Sequence, residues 1–469
     1  MGRKKRQLPL FENVEIISAG AEGKAVGKID DQVVFVPFAA PGDIVDVKAV
    51  RKRRKFIEGV ITNYHKKSDL RIEPFCEHFG VCGGCKWQHL PYEEQLKFKQ
   101  QQVIDNLQRL GQIDTSSIKP ILGSEETKYY RNKLEFSFSN RKYMLENEPI
   151  LEADSKEAYG LGFHVPRIFD KVLDLNSCYL MAEPANAIRL ELKKYTLEKG
   201  YSYYNIRTWE GFLRNIVIRS SNTGDLMVNL VVREEDPEAI SDILDHLKSE
   251  FPEITSLFYT INGKKNDSLS DLSATYYAGK DHLMATMEEL KFKIGPMSFY
   301  QTNDKQAYNL YKIAREFADL KGDEIVYDLY TGTGTIANFI AKKAGRVVGI
   351  EWVESAIEDA KKNSERNNVS NTSFFAGDMA KVFTKEFVSK NGKPDVIITD
   401  PPRAGMHKDV VQQILDLEPQ KVVYVSCNPA TQARDVSLMA EKYDVKQIQP
   451  VDMFPHTHHV ENVILLEKK

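Results

Sequence analysis

One cysteine follows a short apolar run in the last tenth of the chain. The run Val422–Val425 predicts a buried strand, and Cys427 comes just past its end. Pro429 suits the first position of a helix, because it lacks the N–H that would go unpaired there. Cys427 is therefore expected on a strand-to-helix turn, where the helix dipole lowers the pKa of a thiol and favours the nucleophilic thiolate. The alternative is a small buried hydrophobic residue, and this stretch alone leaves both possibilities open.

The other four cysteines have a spacing typical of a metal site. They are Cys76, Cys82, Cys85 and Cys178. Gly83 and Gly84 let the main chain wrap closely around an ion or a cluster. Both zinc, with His78 or His89 nearby, and an iron–sulfur cluster suit such ligands. An odd number of cysteines argues against a disulfide framework.

Several predicted strands of the last third end in polar side chains. The strand ends are Glu351, Asp378, Asp400 and Cys427. Ligands of open α/β sheets gather at the carboxyl ends of the strands, so these side chains are expected to converge. A carboxylate such as Glu351, about twenty residues after the first strand of the unit, suits the hydroxyls of a ribose. Glu461 begins the last predicted strand, where a base could face the Cys427 turn.

Two other features of this region, a glycine turn and a histidine cluster, give only weak support for dinucleotide binding and for metal binding. The turn after the first strand, Thr331–Thr335, contains G-x-G rather than the longer G-x-G-x-x-G, which weakens a dinucleotide interpretation. His456, His458 and His459 lack the spacing of a metal site, so no metal is predicted there.

The elements that position these residues indicate three domains. Residues 1–67 contain short β-rich runs separated by Gly, Pro and Asp turns, which predict a small barrel. Residues 68–290 mix helical and strand patterns and predict an α+β domain, with a helix over 91–110. Residues 291–469 alternate strands and helices, which is typical of an α/β fold with a parallel sheet.

Basic residues suggest where a polyanion binds. Residues 1–67 have a charge balance of +6 in a chain of net charge −3. Five successive cations lie between two predicted strands: Arg51, Lys52, Arg53, Arg54 and Lys55. Such a dense block indicates nucleic acid, with a solvated hairpin as the alternative. Arg131 and Lys133 lie beside Tyr129 and Tyr130, as in proteins that bind single-stranded RNA, although packing at a sheet edge explains the tyrosines equally well.

The composition, with 42% hydrophobic and 28% charged residues, is that of a soluble globular protein. No run of about 18 apolar residues is present, so no transmembrane helix is expected. The basic start lacks an apolar segment after it, so no signal peptide is expected either. We expect a cytoplasmic monomer without a membrane partner.

Five motifs occur in the order found in one enzyme family. They are Ser298–Asn303, Asp328–Gly334, Asp400–Gly405, Ser426–Pro429 and His458–Glu461. In these segments the chain resembles the RNA uracil-5 methyltransferases of the TrmA/RumA type. Its start resembles a TRAM domain, an OB-like RNA-binding barrel. The resemblance covers essentially the whole chain and is closest to the 23S rRNA branch, which combines a TRAM domain with a [4Fe–4S] cluster.

This resemblance implies a multidomain protein. It would comprise an OB-like barrel, a central α+β domain with a four-cysteine iron–sulfur site, and a Rossmann-like class I methyltransferase domain. S-adenosylmethionine would be the cofactor, bound by Gln301, Tyr330, Thr335, Glu351, Asp378 and Asp400. The family usually has Phe at position 330 and often Asn at position 335. Cys427 would be the nucleophile and Glu461 the base, while Cys76, Cys82, Cys85 and Cys178 would hold the cluster, with zinc as the alternative.

The implied substrate is a uridine of RNA, most consistently of 23S rRNA, with tRNA as an alternative. Two further hypotheses belong to other classes. Methylation of an amino group in adenine or protein is compatible with the Asp-Pro-Pro segment at Asp400 and would need no thiol. A non-catalytic RNA-binding or assembly protein is the third, and the joint presence of Cys427, Glu461 and the strand-end acids argues against it.

Overall fold

The computed structural model describes residues 8–145, 148 and 155–469. The chain begins with a closed five-stranded barrel. In it, buried Val, Ile and Ala side chains alternate with exposed polar ones, so one face of each strand lines the barrel core. The strands are ordered β1-β2-β3-β5-β4 and span β1 Leu10–Ala19, β2 Lys24–Ile29, β3 Gln32–Pro37, β4 Ile44–Lys52 and β5 Phe56–Lys66. The predicted barrel over this region is confirmed.

A loop that carries three cysteines leads into the first long helix, α1 Tyr92–Gly111. Pro91 caps its start, and the left-handed Gln112 ends it. The buried face of α1, with Val103 and Leu107, packs into the hydrophobic core of the third sheet rather than against the sheet that follows it in sequence. The helix thus joins the cysteine loop to the C-terminal part of the chain.

The middle of the chain forms a seven-stranded, mostly antiparallel sheet with two helices. The helices α2 Ala185–Lys199 and α3 Pro237–Glu250 bury their apolar residues against it. The sheet order is β12-β11-β10-β9-β6-β7-β8. Its strands are β6 Lys133–Ser139, β7 Gly160–Val165, β8 Ile168–Asp174, β9 Leu213–Ser220, β10 Leu226–Val232, β11 Ser256–Ile261 and β12 Thr275–Gly279.

A short hairpin, β13 Leu283–Met287 and β14 Leu290–Ile294, connects this sheet to the last one. The third sheet has the order β17-β16-β15-β18-β19-β21-β20, with β21 antiparallel to both of its neighbours. Its strands are β15 Ile325–Leu329, β16 Arg346–Glu351, β17 Thr372–Ala376, β18 Val396–Thr399, β19 Lys421–Ser426, β20 Tyr443–Val451 and β21 Glu461–Lys468.

Helices cover both faces of the third sheet, as a parallel sheet with buried strands requires. They are α4 Asp304–Ala318, α5 Thr335–Ala341, α6 Glu354–Arg366, α7 Met379–Val382, α8 Lys385–Asn391, α9 Lys408–Leu417 and α10 Pro429–Met439. The predicted α/β fold is confirmed, and the carboxyl ends of β15, β16, β18 and β19 meet at one edge. None of the helices in the described part of the chain has the length and apolarity that crossing a membrane requires.

Candidate active site

Cys427 and Glu461 face each other across the end of two paired strands. Ser426, the last residue of β19, pairs with Asn462 in β21. The pairing ends there, and the next residues of the two segments are Cys427 and Glu461. Besides burial, the Glu461 carboxylate raises the pKa of the Cys427 thiol, so the two side chains are close to each other. Cys427 is half-buried, and Glu461 is buried. The fold therefore sets a thiol beside a carboxyl group that is sheltered from water.

The local sequence explains this arrangement. Asn428 caps α10, and its side chain accepts a hydrogen bond from the Ala430 N–H. Pro429 takes the first helical position, as predicted. The chain therefore turns sharply at Cys427 and leaves its thiol at the strand end.

Asp400 and Arg403 complete the surroundings of the thiol. Asp400 follows β18 directly, and its N–H donates to the Leu329 carbonyl at 3.3 Å. Arg403 lies in the next turn, where its carbonyl accepts hydrogen bonds from Asn428 Nδ2 at 2.9 Å and Thr431 Oγ1 at 3.2 Å. The Arg403 side chain lies within hydrogen-bonding reach of Cys427.

The carboxyl groups of this site hold their protons more tightly than usual. Burial, and then the negative charge of Asp400, raise the pKa of Glu461 to about 8. Burial raises the pKa of Asp400 to about 7. Such a pair of perturbed acids beside a thiol is typical of a catalytic site.

The predicted direction of the Cys427 pKa shift is wrong. Burial, followed by the charges of Glu461 and Asp400, raises the pKa of this thiol to about 11, although Arg403 opposes the shift. The helix N-terminus is present, but its partial charge is outweighed by desolvation and by two nearby carboxylates. The thiolate is consequently a minor form at neutral pH, and the positive Arg403 is its nearest stabilising charge.

A glycine turn occupies the neighbouring strand end. The turn after β15 carries Gly332 and Gly334 at positive φ, and the space beside the Gly332 Cα is open. Glu351, at the end of β16, accepts hydrogen bonds from the Gly332 N–H at 3.2 Å and the Val353 N–H at 3.0 Å. These bonds fix the carboxylate while leaving it partly exposed to the turn.

Two more of the predicted cofactor residues lie close to Glu351. Tyr330 has a positive φ of 65° and a half-buried hydroxyl. Burial, and the charges of Asp435, Asp378 and Glu351, raise its pKa to about 12. Asp378 caps α7 through the Ala380 N–H at 3.1 Å.

The remaining two predicted cofactor residues flank the same edge. Thr335 is buried at the start of α5, with its hydroxyl 3.3 Å from that of Thr333. Gln301 precedes α4 and is half-buried, and its carbonyl accepts a hydrogen bond from Asn132 Nδ2 at 2.9 Å. The six predicted cofactor residues thus come from the segment before α4 and from the ends of β15, β16, β17 and β18.

The four predicted metal ligands line one cavity of about 700 Å³. Burial, and then the charges of Cys82, Cys178 and Cys76, raise the pKa of Cys85 to about 12, which shows that the four thiols are neighbours. The part of the chain that the structure describes contains no group of three or more His, Cys, Asp or Glu side chains arranged to hold a single metal ion. The four thiols thus share one cavity, but the described residues do not show the metal site that the sequence predicted.

The predicted RNA-binding cations fall into two places. Arg51 to Lys55 are exposed at the hairpin between β4 and β5, where Gln32 Nε2 donates to the carbonyls of Arg53 and Arg54 at 3.2 and 2.8 Å. Arg131 and Lys133 line the cavity of the cysteines, together with His459.

Two residues near the thiol were missed as functional candidates. Arg403 and His459 lie within the motifs that carry the resemblance, but neither spacing nor charge pattern marked them. Arg403 Nη2 donates to His459 Nδ1 at 3.1 Å, and burial lowers the pKa of this imidazole to about 3. His459 is thus a neutral acceptor that holds the guanidinium beside Cys427. Arg403 and His459 are 56 residues apart in the sequence, so their contact depends on the folded sheet and cannot be inferred from local sequence patterns.

Comparisons with known proteins agree with this geometry. Residues 223–469 match the tRNA (uracil-5-)-methyltransferase family, and residues 12–62 match the TRAM domain. An uncharacterized RNA methyltransferase of Bacteroides thetaiotaomicron is 55% identical over 450 residues, which are 95% of this chain and 99% of that protein. An uncharacterized RNA methyltransferase of Chlorobaculum tepidum is 38% identical over 92% of this chain and 90% of its own length.

A solved structure covers nearly the same extent. The tRNA (uracil-54, C5)-methyltransferase of Pyrococcus abyssi, in complex with S-adenosyl-L-homocysteine, aligns with 97% of this chain and 99% of its own. The TM-score is 0.75 and the sequence identity is 30%. The resemblance predicted from the five motifs is confirmed: the chain belongs to the tRNA (uracil-5-)-methyltransferase family, a family of RNA methyltransferases.

Proposed function

We propose that this protein transfers a methyl group from S-adenosylmethionine to carbon 5 of a uridine in RNA, with Cys427 as nucleophile and Glu461 as base. The carrying observation is that the pairing of β19 with β21 ends at Ser426 and Asn462, which leaves Cys427 and Glu461 as neighbours at this strand end. A thiol beside a shielded carboxyl group suits covalent catalysis followed by proton abstraction.

The reaction follows from the properties of uracil. Carbon 5 is a weak nucleophile, and addition of the Cys427 thiolate to carbon 6 makes it an enolate carbon. S-adenosylmethionine, when bound, supplies an electrophilic methyl group to that carbon. Glu461 then takes the proton from carbon 5, and elimination breaks the bond to sulfur and frees the thiolate. Arg403 stabilises the thiolate at the start and at the end, because it is the cation nearest to Cys427.

The residues around the glycine turn fit S-adenosylmethionine. Glu351 is oriented by two main-chain N–H groups and would bind the ribose hydroxyls. Asp328 lies at the base of the turn, and its buried Oδ1 lacks a hydrogen-bond partner among the described residues. Gln301, Tyr330, Thr335, Asp378 and Asp400 would form the rest of the site. Calorimetric titration should detect S-adenosylmethionine binding to the wild type and a clear loss of affinity in Glu351→Ala.

Two variants test the catalytic roles. Cys427→Ala protein with labelled S-adenosylmethionine and RNA should transfer no label, and sustained turnover would refute the nucleophile. Glu461→Gln should accumulate a covalent RNA–protein adduct, because the proton at carbon 5 stays in place. Full activity of Cys427→Ala would instead favour methylation of an amino group, and absence of cofactor binding would favour a non-catalytic RNA-binding protein.

We propose 23S rRNA as the substrate, because the four cysteines resemble the rRNA branch of the family. tRNA remains the second candidate, since the Pyrococcus abyssi structure that aligns with 97% of this chain is a tRNA methyltransferase. Mass mapping of 5-methyluridine in rRNA and tRNA from a deletion strain decides between them. Loss of the modification from tRNA alone would overturn the rRNA proposal.

A [4Fe–4S] cluster is proposed for Cys76, Cys82, Cys85 and Cys178. In such a cluster each cysteine binds a different iron, so the sulfurs lie farther apart than around one ion. The proposal rests on the resemblance to the rRNA branch and on the cavity that all four thiols line. Iron and sulfide analysis of the purified protein should give about four of each per chain. Stoichiometric zinc without iron would contradict the proposal.

RNA would be held by the barrel of residues 1–67 and by the central region of residues 68–290. Its backbone would be contacted by the Arg51–Lys55 hairpin and by the cavity residues Arg131 and Lys133. The target uridine would leave its stack to reach Cys427, as enzymes that modify a base require.

A further inference from the structure

Two exposed aromatic side chains lie together with cations on the central sheet, outside the site described above. Phe169 in β8 is 63% exposed, and Trp209 in the turn before β9 is 44% exposed. The Arg207 guanidinium lies 5.5 Å from the centre of the Phe169 ring, and Lys265 Nζ lies 3.6 Å from the centre of the Trp209 ring. Together with Arg167 in the β7–β8 turn, these residues are called the β8 patch below.

The turn that carries Trp209 is held by two hydrogen bonds from Asn205 and has a strained backbone at Trp209. The Asn205 side chain accepts the Arg207 N–H at 2.9 Å, and the Asn205 carbonyl accepts the Trp209 N–H at 2.7 Å. Trp209 has a φ of 61°, which is unfavourable for a bulky side chain. This backbone conformation presents a large apolar ring to solvent at a cost in stability, which is more typical of a binding surface than of a neutral loop.

The charges of the β8 patch are positive. Arg207 Nε donates to Asp170 at 2.7 Å, but Asp170 also pairs with Arg141 at 2.8 Å, so two guanidinium groups share one carboxylate. Among the described residues, neither Arg167 nor Lys265 forms a salt bridge. The patch thus offers ring faces and uncompensated cations side by side.

The position of the patch connects it to the RNA-binding regions proposed above. Arg167 lies next to Pro166, which packs against Gly83 of the cysteine loop, three residues before Lys86. Lys86 in turn lies 6.0 Å from the Phe38 ring of the barrel. A line of cations and aromatic rings therefore runs from the barrel, past the cysteine loop, to the β8 patch.

The geometry points to the β8 patch as a second RNA-contact surface, which binds a single-stranded segment of the substrate away from the target uridine. This inference rests on the proposed function for the identity of the substrate. Single-stranded RNA is the partner that this chemistry recognises, because unpaired bases stack on aromatic rings and guanidinium planes while the phosphates pair with the cations. A protein partner with an acidic face would need the cations but not the ring faces.

The first test separates stacking from charge. The variant Phe169→Ala/Trp209→Asn removes both rings, and Asn accepts the positive φ at position 209. Its Kd for a labelled uridine-rich single-stranded oligonucleotide, measured by fluorescence anisotropy, should rise about thirtyfold or more, since two stacking rings are lost. The matched control is Tyr276→Ala, which removes a 51%-exposed ring at the opposite edge of the same sheet and should leave the Kd unchanged. An unchanged Kd in the double variant, or an equal rise in the control, would overturn the inference.

The second test counts phosphate contacts. In Arg167→Asn/Lys265→Gln the slope of log K against log salt should become shallower by about 1.4, since each contact to single-stranded RNA contributes about 0.7. A slope equal to that of the wild type would refute the role of the cations. Both tests use equilibrium binding and can be repeated in Cys427→Ala protein. If the protein fails to methylate RNA, the proposed function is refuted but the binding measurements still stand. If the patch variants bind RNA as the wild type does, only the proposed role of the β8 patch is refuted.

Discussion

Cys427, Glu461 and Asp400 share one electrostatic environment, and the protonation of each depends on the other two. The pKa of Glu461 is about 8 and that of Asp400 about 7, so both are protonated in part near neutral pH. In the proposed reaction Glu461 must be ionised to accept a proton and Cys427 must be ionised to attack, so kcat/KM is expected to rise with pH from 6 to above 8.

Replacing Glu461 by Gln should make the thiol easier to ionise. The change removes a carboxylate that raises the pKa of Cys427, so the midpoint of its alkylation by iodoacetamide should move to lower pH by about one unit. Mass spectrometry of the peptide that contains Cys427 follows this residue apart from the other cysteines. Arg403→Met is the opposing control, because loss of the cation should move the midpoint upward. Equal midpoints in all three proteins would contradict this electrostatic account.

Asp400→Asn should stabilise the protein at alkaline pH. Burial raises the pKa of Asp400 from 3.8 to about 7, so the folded state retains a proton that the unfolded chain releases. Stability is therefore lost as the pH rises through this window, and the loss is complete above about pH 7. The variant should melt about 2–4 °C higher than the wild type at pH 8 and at the same temperature at pH 4. Thermal denaturation at pH 4 and pH 8 checks this expectation. Asp416→Asn is the control: the pKa of Asp416 is lowered, so this variant should show no rise in melting temperature at pH 8.

At the scale of residues, the sequence predicted where Cys427 and Glu461 lie better than it predicted the pKa of the thiol. The strand-to-helix turn at Cys427 and the place of Glu461 at the start of β21 are confirmed. The pKa direction of the thiol was wrong because the decisive carboxylates come from Asp400 and Glu461, 27 and 34 residues away in the chain. A local sequence pattern shows that the thiol lies near a helix N-terminus. Its burial and its distance from charges elsewhere in the chain, which also determine its pKa, depend on the tertiary fold.

At the scale of elements, the segment between β20 and β21 is held from several sides. Asp452 pairs with the buried Lys99 of α1 at 2.5 Å and accepts the Tyr92 hydroxyl at 2.9 Å. The His456 carbonyl accepts the N–H groups of Lys86 and Trp87 at 2.7 and 3.1 Å. This segment leads directly to His459 and Glu461, so α1 and the cysteine loop together position the catalytic strand end.

Lys99→Met should weaken both the fold and the site. Removing one partner leaves the Asp452 carboxylate buried without its ion pair, which typically costs about 3–5 kcal/mol. Urea unfolding should show this loss in the free energy of unfolding, and kcat should fall because the segment before Glu461 loses its anchor. Lys97→Met removes an exposed lysine of the same helix, which pairs only with Glu94, and should change neither quantity measurably. If both variants behaved alike, the anchoring role of Lys99 would be excluded.

The helix itself was predictable, but its partner was not. The apolar spacing of residues 91–110 identified α1 with an error of one residue at each end. Its packing against the third sheet depends on contacts with residues more than 300 positions later, such as Asp452, and periodicity carries no information about such pairs. The Lys99 side chain gave no signal either, since a lysine on a helix is usually exposed.

At the scale of the molecule, the cysteine site and the methyltransferase site are mechanically joined. For the proposed iron–sulfur cluster, Cys85→Ser should abolish an absorbance near 400 nm, roughly where such clusters absorb. It should also lower kcat, because Lys86 and Trp87 follow this ligand and hold the His456 carbonyl. Cys427→Ser is the matched control, which should lose activity but keep colour and iron. A colourless Cys85→Ser protein with normal kcat would show that the two sites are independent.

The three-part architecture was largely predictable, because each part has its own pattern of strands, turns and charges. The barrel and the α/β alternation were identified from these patterns, and both sheets are present. The strands β7, β8 and β12 escaped notice, since the central sheet exposes polar and aromatic residues that obscure the alternation. The β8 patch therefore became visible only from the arrangement of its turns.

The insertion of β21 between β19 and β20 has a consequence for the order of synthesis. Among the predicted catalytic and cofactor residues, Glu461 is translated last, whereas the barrel is translated first and domains generally fold in that order. A nascent chain could therefore engage RNA, and even expose Cys427, before any base is available to complete a turnover. Under the proposed mechanism, product release then depends on β21, the last strand of the chain, taking its place between β19 and β20.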